Sequence, residues 1–281
     1  MDDQAFYGML ADYHMHTPLC LHADGEPVEY AKRAVELGLT EIGFSEHCPI
    51  PASFDRLRMR REDLPIYQAK VNAARRAFPQ LTIRFGIEAE YVEEEEKSIQ
   101  HFLDSADWDY ILGSVHYIRH WNFDAPEAVS KWKETRDLLS QWKLYFELWK
   151  QAARTRLYDS LAHPDLVKKF GFIPSESCND LFQDALQVVA EDGLAIEINT
   201  AGLRKPVQEI YPSKSFLRIA RGLDIPISLG SDAHSPSEVG MNFREAINLA
   251  RECGYTHYIR FHQRQRTLHP LPNSSNDNGP A

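Results

Sequence analysis

Along the chain, short apolar runs of strand length alternate with longer stretches whose apolar residues recur at helical spacing. This strand-then-helix rhythm marks an α/β fold with parallel strands. The first strand is expected over residues 10–16. Its helix follows over 27–37, with Tyr30, Ala31, Ala34 and Val35 on one face and Gly38 as the stop. Further strands are expected over 41–45, 82–87, 110–115, 157–162, 195–198 and 226–229. Helices are expected over 64–77, 128–155, 178–191, 215–222 and 239–253, with another opened by the acidic run Glu93–Glu96. Trp132, Trp142, Tyr145 and Trp149 read as core anchors of the long amphipathic stretch. A short strand near 257–261 closes the domain, and the polar segment after Pro270 has the composition of a disordered tail. The expected organisation is therefore one domain over 1–269 and a tail over 270–281.

Seven strand–helix units suggest a closed or nearly closed barrel in which the eighth strand of the usual eightfold form is weak or absent. Active sites of such barrels lie at the C-terminal ends of the strands. That is where the chemistry-bearing residues fall. The first strand ends in His14-Met15-His16, whose alternation puts both imidazoles on one face, and His22 follows in the loop. A His-x-His pair alone is weak evidence. Later strands, however, end in His47, Glu88, His116, His163, and Asp232-Ala233-His234. Seven of the twelve histidines thus fall at one rim and none of the seven on the intervening helices, a distribution that points to metal binding. Nine ligand candidates exceed the needs of one tetrahedral ion. They suit two or three ions with a bridging carboxylate, the arrangement that activates water for phosphoester hydrolysis. Glu46 is placed to orient an imidazole. Asp24 reads as a loop residue, and Glu90 as the outward neighbour of Glu88.

Composition narrows the field. A chain of 281 residues, 43% hydrophobic, can bury a core without disulfide staples. The formal net charge of −10 argues against broad nucleic-acid binding. No apolar run is long enough to span a bilayer, and the acidic start Met1-Asp2-Asp3-Gln4 lacks the layout of a signal peptide. Cys20, Cys48, Cys178 and Cys253 contain no Cys-x-x-Cys pair and read as reduced thiols of a cytoplasmic protein.

The motifs together resemble the polymerase-and-histidinol-phosphatase (PHP) superfamily of metal-dependent phosphoesterases, over about residues 8 to 265. The resemblance rests on His14-Met15-His16, Glu46-His47, His116 and Asp232-Ala233-His234, with Glu88 and His163 between. Its histidinol-phosphatase branch is the nearer match. The marks are the segment from His16 to His22, Phe44-Ser45-Glu46-His47, Gly86-Ile87-Glu88, Gly113-Ser114-Val115-His116, and the run from Glu197 to Arg204. Many superfamily members carry Asp-His where this chain has Glu46-His47; the Glu form resembles the phosphatase branch.

The resemblance implies a distorted (β/α)7 TIM-like barrel with three divalent ions. The first is held by His14, His16, Glu88 and Asp232; Glu88 bridges to a second, held by His116 and His163; His22, His47 and His234 hold the third. Zinc, iron and manganese all occur in such sites. The implied reaction is hydrolysis of L-histidinol phosphate, with Asp232, Glu88 and His234 at the reacting centre and the leaving alkoxide protonated through Asp232 or bound water. Arg204 is expected as a phosphate clamp, its alternative being a surface salt bridge. Arg119 and His120 either line the substrate pocket or belong to a solvated loop. The arginines from Arg56 to Arg61 read as a solvated loop or lid. Glu197 or Asp24 is expected to meet the substrate ammonium. The rivals are a phosphoesterase acting on nucleotides or other small phosphomonoesters, an amidohydrolase, and a metal-stabilised barrel without activity. The expected partner is a small phosphate ester, with no nucleic acid and no membrane.

Overall fold

Seven parallel strands curl into one sheet whose two edges meet. The structure is a computed structural model, which describes residues 2–51 and 54–272. The strands in chain order are β1 (Ala11–Asp12), β2 (Glu41–His47), β3 (Thr82–Glu90), β4 (Tyr110–Ser114), β5 (Tyr117–Ile118), β6 (Trp121–Asn122), β7 (Ser160–Leu161), β8 (Ala195–Asn199), β9 (Ile227–Gly230), β10 (His257–His262) and β11 (Gln265–Pro270). The barrel runs β1-β2-β3-β4-β7-β8-β9, while β5 with β6 and β10 with β11 form two antiparallel hairpins. Closure occurs just past β1 and β9. There His16 N–H donates to Ala233 O (2.9 Å), Ala233 N–H to His14 O (3.0 Å), and Tyr13 N–H to Leu229 O (3.1 Å). The distorted seven-stranded barrel expected from the sequence is the fold observed.

The helices form where sequence and capping agree. In helix Pro27–Leu37, Pro27 stands in the first turn, Glu29 accepts from the Glu26 backbone N–H at 2.7 Å, and Gly38 ends it with φ +93°. Helix Leu138–Arg154 buries Trp142, Tyr145, Phe146, Trp149, Ala152 and Ala153 on one stripe. Phe146 and Trp149 meet Phe182 and Phe216 of the next two helices, at ring separations of 5.4 Å for Phe146–Phe182 and 5.8 Å for Trp149–Phe216. Among the described residues, no helix is long and apolar enough to cross a membrane.

Three expected elements differ, each for a local reason. The first strand keeps a regular ladder with β2 only over Ala11–Asp12, and beyond it the Asp12 carboxylate accepts from the backbone N–H groups of His14, Ser231 and Gly240. The fifth expected strand shrinks to Ser160–Leu161 and is followed by His163 at φ +28°. The closing strand is half of a hairpin. Its two-residue turn is Gln263-Arg264, with φ +48° and +63°, and neither residue signals a turn as Asn-Gly would. The expected tail begins inside β11, and residues 273–281 lie outside the described residues.

The C-terminal hairpin plugs the N-terminal end of the barrel. Phe261 packs against Tyr13 (5.1 Å) and stacks on Tyr110 (5.3 Å), and the Tyr110 hydroxyl donates to Tyr13 O (2.7 Å) and Phe44 O (3.0 Å). Glycine leaves room for this ring: a Cβ on Gly43 or Gly86 would overlap Tyr110. Gly86→Ala should therefore overpack the barrel floor and cost about 1–3 kcal/mol of stability. Thermal or denaturant unfolding checks this, and an unchanged midpoint would refute the packing argument.

Candidate metal centre

Strand after strand delivers one polar side chain to the C-terminal rim, and Glu88 of β3 sits at the centre of them. It is fully buried. Its Oε2 lies 2.7 Å from His47 Nδ1, 3.5 Å from His14 Nε2 and 3.8 Å from His16 Nε2. Its Oε1 lies 2.9 Å from His163 Nε2 and 3.5 Å from His116 Nε2. Asp232 Oδ1 is 3.3 Å from His16 Nε2 and 3.6 Å from His14 Nε2. His22, His47 and His234 converge at the outer side. Ligand atoms of His14, His16 and Glu88 lie within 4.8 Å of one another, and the same holds for Glu88, His116 and His163 and for His22, His47 and His234. All nine sequence-predicted ligand residues are thus brought to one place.

The hydrogen bonds fit cations at these positions. His14 Nδ1 faces Glu197 Oε1 at 2.8 Å and His116 Nδ1 faces Glu90 Oε2 at 2.7 Å, so each ring donates outward and turns the Nε2 lone pair inward. His22 Nδ1 faces Cys20 O (2.8 Å) and His234 Nδ1 faces Asp232 O (3.1 Å), and a carbonyl can only accept. Their Nε2 lone pairs therefore confront each other at 3.1 Å, an arrangement that a shared cation relieves. His14 Nε2, His16 Nε2 and Glu88 Oε2 are buried without a hydrogen-bond partner. Buried polar atoms left in this way are costly unless something occupies the space between them.

Electrostatics agree. Burial opposes charge on His14, yet Glu197, Asp232 and Glu88 together hold its pKa well above the usual value. His16 and His116 are each raised to about 9 against the same burial, His16 by the neighbouring carboxylates of Asp232, Glu46 and Glu88 and His116 by the charge of Glu90 and Glu88. Burial would raise Glu88 and Asp232, but the surrounding imidazoles hold both well below the carboxylate range. A cluster this rich in ionised carboxylate takes up protons wherever it lacks cations.

The supporting residues were less legible. Glu90, read as an outward neighbour of Glu88, is fully buried. It binds His116 through both the ring and the backbone N–H, and it is ion-paired with Arg58. Both faces of a parallel strand are covered, so alternation did not put it in solvent. Arg58, read as part of a solvated loop or lid, is buried. Glu197 is fully buried, and its oxygens accept from His14 Nδ1, from His163 N–H (3.0 Å) and from Asn199 Nδ2 (2.9 Å). Glycine at 230 makes that contact possible, since a Cβ there would run into Glu197 and come within 2.6 Å of His14 Cβ. Glu46 accepts from Thr17 and lies 3.6 Å from His16 Nδ1, close to its expected role. Asp24, the other candidate for the ammonium, is exposed, and its backbone N–H binds His234 O.

Three predicted substrate contacts lie elsewhere. Arg204 donates to Ser231 O (2.7 Å) and Asp232 O (3.2 Å) and pairs with Glu238 (3.1 Å), whose other oxygen accepts from His234 N–H (2.8 Å). It braces the Asp232–His234 segment and does not line the cavity. Arg119 and His120 form the tip of the β5–β6 hairpin. They line a separate 250 Å³ pocket with Phe54, Tyr91 and Tyr117. The cavity over the imidazoles has a volume of about 460 Å³. It is also lined by Arg58, Asn122, Asp124, Lys169, Lys205 and Tyr211, none of which the sequence assigned to a substrate.

A parallel barrel with imidazoles and carboxylates clustered at its C-terminal rim is a metal-centred α/β barrel. Residues 12–201 match the PHP domain model, and the chain belongs to the PHP domain family. It is 45% identical over 247 residues to the probable histidinol-phosphatase of Deinococcus radiodurans, covering 87% of this chain and 94% of that protein. It is 30% identical over 256 residues to the histidinol-phosphatase of Bacillus subtilis, covering 82% and 95%. The fold matches a Lactococcus lactis histidinol phosphate phosphatase solved with zinc, L-histidinol and phosphate. The TM-score is 0.75 at 22% identity, covering 92% of this chain and 99% of that one.

Two outcomes follow from this geometry. Because His16 and His116 hold protons up to about pH 9 in the metal-free cluster, metal uptake at pH 7 should release protons. Apparent affinity should then rise with pH and level off near 9, as calorimetry in buffers of different ionisation enthalpy would show; pH-independent uptake would contradict it. Glu197→Gln keeps the shape but removes the charge behind His14 and His163. It should weaken metal affinity by about 10–100-fold in chelator competition, with the circular dichroism spectrum unchanged.

Proposed function

We propose that this chain is a metal-dependent phosphomonoesterase that hydrolyses L-histidinol phosphate to L-histidinol and phosphate, a step of histidine biosynthesis. The carrying observation is Glu88, whose two buried oxygens face imidazoles from different strands at the floor of a cavity of ligand size. Relatives at 45% and 30% identity bear the histidinol-phosphatase name, and the Lactococcus protein of the same fold was solved with zinc and both reaction products.

Three divalent ions fit the donor groups. His14, His16, Glu88 and Asp232 would hold the first, Glu88, His116 and His163 the second, and His22, His47 and His234 the third. Zinc suits these donors, and iron and manganese suit them as well. When bound, such ions lower the pKa of a shared water and neutralise charge on the phosphoryl oxygens. The protein supplies the rest. Glu88, buried, and His234, partly exposed, would both serve as ligands. Glu197 and Glu90 keep His14 and His116 in the tautomer that turns Nε2 inward. Asp232 is held ionised by His14 and His16 and opens to the cavity, so it is placed to take the proton of the attacking water and to return it to the leaving alkoxide oxygen. Arg204 acts through backbone carbonyls, as a brace for the strained Asp232 at φ +54°. Residues 1–269 serve as one catalytic domain. The four buried, unbridged cysteines suit a reducing compartment such as the cytoplasm.

Phosphate release from L-histidinol phosphate, a nucleoside monophosphate and an aryl phosphate, measured on metal-counted protein, tests this. The histidinol ester should be strongly preferred, and the activity should vanish on chelation and return with metal. Glu88→Ala and Asp232→Ala should fall to background. Near-wild-type turnover in either, with metals retained, would overturn the ligand assignment. A preference for the nucleotide would move the function to a general phosphoesterase.

A further inference from the structure

Besides the imidazoles, the cavity wall carries charges of both signs. Arg58 is already committed to Glu90 and Asp55, and Asp55 also accepts from Leu57 N–H. Glu127 is exposed to solvent. Asp124 and Lys169 differ from these. Lys169 Nζ donates to Asp124 O (2.7 Å) and to Asp124 Oδ2 (2.9 Å), and both side chains are only 17% exposed. Both line the cavity. Each belongs to the loop that follows a ligand-bearing strand. Asp124 follows His116 beyond β4, and Lys169 follows His163 beyond β7, the strand paired with β4. The pair therefore stands over the junction of two neighbouring strands, beside the imidazoles they deliver.

Rigid structure holds both residues in place. Phe123, next to Asp124, is buried against Trp132 and Tyr145, and its N–H donates to His116 O. Lys169 ends a turn fixed by Lys168, which is buried between Asp165 and Glu209. The backbone of neither residue needs to move for the side chains to part. Two largely buried charges lining a cavity gain little from each other beyond what a ligand of matching charges would return.

The ester proposed above is such a ligand. It carries a phosphate on one carbon and an ammonium on the next, so opposite charges lie a few bonds apart. We propose that Asp124 and Lys169 form a separable ion pair that the substrate splits. The Asp124 carboxylate takes the substrate ammonium, and the Lys169 ammonium takes a phosphate oxygen. One ion pair within the protein is exchanged for two with the substrate, and the exchange selects phosphomonoesters that carry an amine beside the ester carbon. This inference rests on the histidinol phosphate reading and assigns its specificity to two side chains that touch the substrate.

The test compares kcat/KM on the metal-loaded enzyme for L-histidinol phosphate and for 3-(imidazol-4-yl)propyl phosphate, the same ester with the amine replaced by hydrogen. The ratio of the two is independent of the fraction of protein that is folded or metal-loaded. Wild type should favour the amine by about tenfold or more, the scale of a charge-assisted hydrogen bond in a site built to receive it. Asp124→Asn should bring the ratio close to one by losing activity on the amine ester alone. Lys169→Met should lower kcat/KM for both esters without lowering the ratio, since Asp124 is left free for the ammonium. An unchanged ratio in Asp124→Asn, or no amine preference in wild type, would overturn the ion-pair assignment. A wild-type enzyme inert toward L-histidinol phosphate but active on another phosphomonoester would instead overturn the function on which it rests.

Discussion

A carboxylate with no exposed surface is the constraint on which the rest of this molecule depends. Glu88 has no exposed surface and one oxygen without a hydrogen bond. An ion in such a place is tolerated only when opposite charge surrounds it closely. The barrel meets that demand by ending β1, β2, β4 and β7 in imidazoles aimed at one point. Glu197 and Glu90 orient the imidazoles of His14 and His116. Asn199 and Arg58 hold those carboxylates in turn. Each layer of charge is settled by the next, out to the loops.

The constraint also explains where the backbone is strained. Asp232 and His163 both take positive φ, which side chains other than glycine seldom adopt. Both follow barrel strands and carry groups that must turn back over the rim. Arg204 and Glu238 fix the first of these segments from behind, and the His163 N–H is fixed by Glu197. Strain at the site is carried by contacts that themselves face away from the cavity.

The two ends of the barrel divide the labour. At the N-terminal end, Tyr13, Tyr110 and Phe261 fill the interior, and Gly43 and Gly86 leave room for the Tyr110 ring. That end supplies packing. At the other end, the interior layer is polar, and loops of unequal length shape a cavity above it. Changes in the loops after β4 and β7 can alter what binds without disturbing the floor.

The sequence by itself determined the strand–helix rhythm, the seven-stranded barrel and the nine ligand candidates. These are properties of local pattern: hydrophobic period sets the elements, and a barrel of parallel strands puts every strand end on one rim. It also pointed to the PHP family through motifs that are short and contiguous. Only the tertiary structure decided which charged residues face the cavity. Glu197 and Arg204 lie in the run the sequence singled out, yet one is consumed in orienting His14 and the other braces Asp232. Arg119 and His120 follow His116 closely, but a hairpin whose turn lacks the usual residues carries them to a different pocket. Asp124 and Lys169 carry no motif, and their pairing across 45 positions becomes visible only when two loops fold over neighbouring strands. Period and motif are written along the chain, whereas the partner of a charge is fixed by distances that only the closed barrel creates.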